Sequence, residues 1–150
     1  MWLRRLVLPA CLLCWAAGAG AANLLYGSLL EVHGISRTDS RLQMPLSRKK
    51  YADVRLLDRS LYQFLLSCGE ECSFNAPGKE IEIVSFREAK TRPNMWIAQA
   101  GINKKLLITF LIFKRADAFN IIAPQAVAFK DQPFFEEIKT ALLRQVQAKL

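Results

Sequence analysis

Residues 105–114 read Lys-Leu-Leu-Ile-Thr-Phe-Leu-Ile-Phe-Lys, an almost unbroken apolar run between two lysines. Leu106 to Phe113 is far shorter than the roughly 20 apolar residues a membrane-spanning helix needs. A run of this length, rich in β-branched and aromatic residues, reads as a central strand buried on both faces. The neighbouring sequence agrees. Gly101-Ile102-Asn103 marks a turn just before it, and Ala116-Asp117 makes a short connection just after it. Residues 94–100 then form the preceding strand, and Ile81 to Phe86 alternates with period two after the Asn-Ala-Pro-Gly turn at 75–78. Phe119 to Phe129 makes a fourth strand, with Pro124 placing it at an edge or a bulge.

Helical periodicity brackets these strands. Tyr51, Val54, Leu57, Leu61, Phe64 or Leu65, and Cys68 recur at steps of three and four, with Ser47 as the expected N-cap and Gly69 as the stop. A second helix closes the chain. Asp131 caps it, Pro133 sits in its first turn, and Phe135, Ile138, Leu142 and Val146 form the buried stripe. Glu136 and Glu137 lie toward its positive end, Arg144 and Lys149 toward its negative end. Asn23 to Ile35 fits either period, and its end at His33-Gly34 favours a strand. Residues 36–47 are polar and contain Pro45, which reads as a linker. The expected fold is α+β: an antiparallel four- to five-stranded meander sheet with two amphipathic helices packed on it.

The start of the chain has a different character. Arg4 and Arg5 precede the apolar stretch Leu6–Ala17, and Ala-Gly-Ala-Gly-Ala-Ala follows at 17–22. A basic start, a short apolar middle and small residues at the end are the layout of a secretory signal peptide, here cleaved after Ala21. An uncleaved anchor is the alternative, since no charge occurs between Leu6 and Leu30. The expected organisation is a leader at 1–21, an N-terminal strand or helix with a polar linker at 22–46, and an α+β domain at 47–150. The expected location is secreted or periplasmic.

Export changes the meaning of the cysteines. Removing the leader takes Cys11 and Cys14 with it and leaves Cys68 and Cys72 in Cys-Gly-Glu-Glu-Cys. A solitary pair in an oxidising compartment forms a disulfide, and Gly69 lets the chain turn to close it. A redox-active thiolate is disfavoured, because the pair sits at a helix C-terminus beside Glu70 and Glu71. Copper(I) would need further ligands, and His33, Met44 and Met95 are scattered along the chain.

Twenty-one Lys and Arg against thirteen Asp and Glu give the 150 residues a net charge of +8. The stretch 37–59 holds Arg37, Arg41, Arg48, Lys49, Lys50, Arg55 and Arg59 against Asp39, Asp53 and Asp58. From it Arg48, Lys49, Lys50, Arg55 and Arg59 are the expected binding surface, facing an acidic protein or, as a second class, an anionic membrane. Nucleic acid is not expected, because no recognised module and no aromatics interleave these basic residues. The lone His33 rules out any site that needs two histidines, and no nucleophile elbow accompanies it. No enzyme activity, metal or cofactor is expected. The reading is a small exported non-catalytic domain that binds a protein partner in an accessory, inhibitor or immunity-type role. A small-ligand or lipid carrier, with some of the nine phenylalanines lining a pocket, is the alternative. Thiol or copper handling at Cys68 and Cys72 is a further one.

Overall fold

The structure is a computed structural model in which residues 20–46 and 53–150 are described. Nineteen of the twenty-one expected leader residues, Ser47, and three of the five expected binding-surface residues (Arg48, Lys49 and Lys50) lie outside the described residues. Among the described residues there are two sheets and two helices, so the α+β class holds. The strands nevertheless form two sheets, where the sequence pointed to one meander.

The expected central strand is β8 (Leu106–Arg115). It pairs with β7 (Met95–Ile102) along its length, and β7 pairs with β6 (Ile81–Glu88). On its other side β8 takes β4 (Val54–Leu56) at one end and β9 (Ala118–Ile122) at the other. All of these pairings are antiparallel, so β6 to β9 are the meander the sequence predicted. Leu106, Ile108, Phe110 and Ile112 are fully buried on one face, while Leu107 and Leu111 are buried on the opposite one. The two-residue turn Asn103–Lys104 joins β7 to β8 with both residues at positive φ, the twist such hairpins require.

The other sheet comes mostly from sequence that looked ambiguous or like a linker. A hairpin of β1 (Gly20–Tyr26) and β2 (Leu30–Thr38) forms its centre, so the strand reading of 23–35 is the right one. Gly20 and Ala21, the last two residues of the expected leader, open β1 and are exposed, and Ala22 is buried. The expected linker is largely structured: β2 runs on to Thr38, Asp39 turns the chain at positive φ, and β3 (Arg41–Gln43) pairs back. The short strand β5 (Glu71–Phe74) lies parallel to β1, which makes this sheet mixed. The fourth expected strand is really two. Pro124 ends β9, its carbonyl accepts from the Val127 N–H at 3.1 Å, and β10 (Val127–Phe129) joins β2 in the other sheet. A residue without an N–H thus stands where the chain changes sheets.

The first predicted helix also needs correction. Val54, Arg55 and Leu56 form β4, and only Arg59–Ser67 is helical, as α1. Asp58, and not Ser47, is the N-cap; its carboxylate accepts from the Leu61 N–H at 3.1 Å. β-Branched Val54, fully buried opposite Ile108, takes the strand that the open edge of β8 offers. The last helix, α2 (Gln132–Lys149), has the expected Asp131 cap and proline. Its buried stripe is Phe134, Ile138, Leu142 and Val146. Phe135, expected in that stripe, is half-buried and stacks on Phe129 at 4.4 Å. Inward side chains of both sheets and both helices make one continuous apolar core.

Candidate functional site

The strand β3 belongs to one sheet, β4 to the other, and α1 touches both. At this seam lies a groove of about 350 Å³, lined by Leu42, Gln43, Met44, Leu46, Val54, Arg55, Leu56 and Tyr62. It is apolar because β3 and β4 each turn one alternating set of side chains toward α1. Leu46 is 57% exposed at its rim, a large apolar side chain left in water. The exposed Arg55 is the cation among the lining residues.

The structure divides the expected binding surface. Arg55 reaches the groove. Arg59 stands exposed in the first turn of α1, where a cation opposes the helix dipole and therefore gives the helix nothing. Arg37, counted in sequence as part of the same basic face, is buried at 8% exposure. Its Nη1 donates to the carbonyls of Leu65 (3.3 Å) and Cys68, and its Nη2 to that of Gly69 at 2.6 Å. It is a cation capping the negative end of α1. Its Nε has no hydrogen-bond partner among the described residues. The sequence signal that could have separated Arg37 from its neighbours is its place in alternation with Ile35 on β2.

Cys68 and Cys72 are disulfide-bonded, with Cα atoms 5.6 Å apart. The bridge joins the end of α1 to β5, beside the carbonyls that Arg37 holds. In this state neither sulfur is a thiolate ligand or nucleophile. His33 is 45% exposed on its side chain and meets Glu31, Nε2 to Oε2, at 3.2 Å; Lys130 approaches the same carboxylate oxygen at 3.7 Å. Its ring borders a shallow hollow with Asp53, Pro45 and Gln125, and among the described residues no serine or cysteine lines it.

A polar knot the sequence did not reveal lies near the β7–β8 turn. Asp58 accepts from Ser60 and from Lys105 at 2.9 Å, which with the Leu61 N–H holds its carboxyl down to about 2. Lys105 also lies over the Phe74 ring. Asn103 donates to the Tyr26 hydroxyl at 3.1 Å and to the Gly78 carbonyl at 2.7 Å, and burial raises the Tyr26 pKa. Every group here is occupied by another part of the chain, so the knot ties turns together and leaves no reactive group unengaged.

Comparison with protein-family models, curated proteins and solved structures finds no match.

Proposed function

We propose that the chain is a small exported domain without catalytic chemistry, and that it holds an acidic protein segment in the groove between β3, β4 and α1. One observation carries the reading: an apolar groove at the seam of two sheets, with Leu46 in water at its rim and Arg55 beside it. Apolar contact supplies the affinity, and the cation selects a partner with a carboxylate next to its apolar anchor. Arg59, and Arg48, Lys49 and Lys50 between the two ends of the groove in sequence, extend the same preference. The leader at 1–21 and the Cys68–Cys72 disulfide fit an oxidising compartment outside the cytosol.

The carrier alternative has less support. Phe110 and Phe134 are fully buried, and Phe64 and Phe74, like Phe129 and Phe135, contact each other ring to ring, so these six pack within or against the core.

The test is capture with the exported protein. Wild-type chain should recover one stoichiometric partner, and Leu46→Glu combined with Arg55→Glu should lose it, while Arg144→Glu on the exposed face of α2 keeps it. Equal recovery by the groove variant, or repeated recovery of the bare monomer, overturns the reading. Met1-bearing chains free in the cytosol with Cys68 and Cys72 both alkylatable overturn the export half.

A further inference from the structure

The second surface lies at the far end of β8. The antiparallel registers Glu88↔Trp96, Met95↔Phe113 and Arg115↔Ala118 bring the 89–94 loop and the β8–β9 turn to the same end of one sheet. That end carries Arg87, Lys90, Arg92, Lys114 and Arg115 against only Glu88 and Asp117. Lys90, Arg92 and Arg115 are exposed. Elsewhere Lys79, Lys105, Lys130 and Lys139 each meet a carboxylate, whereas these three form no ion pair among the described residues.

Behind these cations is an apolar cluster separate from the main core. Met95, Ile97 and Leu111, with Ala89 and Phe113 against them, sit on the sheet face turned away from the buried Trp96, Phe110 and Ile112. Ile97 pairs directly with both Arg87 and Leu111, so the cations stand on strands held by a packed cluster whose own side chains are buried. Tight turns set the cations: Asn94 and Ala116 both hold positive φ.

We infer that this end of the sheet is a docking surface for an anionic lipid membrane. Uncompensated cations concentrated at one strand end are drawn to a negatively charged surface without needing a shaped partner, each by a factor of about five in binding. The groove lies opposite Leu107 through Arg55, about 25 Å back along β8 at the rise of a strand. A domain seated on its tip therefore presents the groove to a partner away from the membrane. The surface stands independently of the groove reading.

Vesicle sedimentation of the full chain tests this. With vesicles of phosphatidylcholine and phosphatidylglycerol, wild type should partition more strongly than with phosphatidylcholine alone, and the excess should fall as salt rises. Lys90→Gln, Arg92→Gln and Arg115→Gln together should lower that partition on the order of 100-fold, and Arg144→Gln on the exposed face of α2 should leave it unchanged. Lys90→Gln with Arg92→Gln, confined to an exposed loop, serves if the triple variant fails to fold, and should lower partition by a factor of about 25. Because every variant keeps residues 1–21, binding through that stretch cancels in the comparison. Equal partition by wild type and the tip variants overturns the inference, as does equal affinity for both vesicle types. Binding of soluble polyglutamate as tight as that of the vesicles at matched charge also overturns it, and assigns the tip to an acidic protein instead.

Discussion

The helices α1 and α2 are held to the same core by different means. The eighteen residues of α2 carry Phe134, Ile138, Leu142 and Val146 along one stripe, and that burial keeps the helix in place. In α1 there are nine residues, of which Leu61 and Leu65 are buried. A helix this short is marginal by itself. It is fastened at its ends: Asp58, Ser60 and Lys105 at the start, and Arg37 with the Cys68–Cys72 bridge at the finish. Where little apolar area is available, charge-assisted hydrogen bonds and a covalent bond do what packing does elsewhere. The groove depends on those fastenings, because Tyr62 of α1 forms one of its walls.

The contrast is broken most severely at Arg37. Arg37→Met fills similar space but leaves the Leu65, Cys68 and Gly69 carbonyls without their charged donor. We expect a loss of about 3 kcal/mol in denaturant unfolding, with hydrogen exchange showing α1 opening well before α2. Uniform loss of protection across both helices would mean that α1 has no separate dependence on its ends. Removing the bridge with Cys68→Ser and Cys72→Ser should cost less, roughly 2 kcal/mol, because so short a loop restrains the unfolded chain little. A cost for the bridge exceeding that at Arg37 would reverse their order and make the covalent tie the principal fastening.

The same contrast explains what could be read from sequence. In α2 the cap, the proline and most of the stripe were legible, because all of its signals are local and agree with one another. The start of α1 was not. Tyr51, Val54 and Leu57 continue the period of Leu61 backwards by threes and fours, although Val54–Leu56 is in fact a strand. What decides the matter is the open edge of β8 at Leu106–Ile108, about fifty residues away in sequence. For β6 to β9, short turns forced neighbouring strands to pair, and the meander was visible. The second sheet depends on β1 pairing with β5 and β2 with β10, contacts across long stretches of chain that no local pattern reports. At the groove, Arg55 was identified as a contact residue, but its apolar partners on β3 were assigned to a linker. Arg37 was miscounted for a related reason: its burial comes from α1, which lies against β2 only in the folded chain.

The smallest effect falls on the N-caps and is seen through pH. Asp58 takes the Ser60 hydroxyl, the Lys105 ammonium and the Leu61 N–H, and its carboxyl titrates near 2. In the unfolded chain it titrates near 4, as aspartate ordinarily does. Because the folded value is the lower one, the stability this carboxylate contributes is complete above about pH 4 and is lost as pH falls through 2. Asp131 is also lowered, by Lys79 at 2.8 Å and the Phe134 N–H, so its contribution has the same sign. It takes two donors where Asp58 takes three, and the helix it caps is anchored by its stripe. Urea unfolding between pH 4 and 2 should therefore flatten more in Asp58→Asn than in Asp131→Asn. Equal flattening would show that both caps bear the same load, and more at Asp131 would reverse their order; either result places the fastening of α1 at its Arg37 end alone.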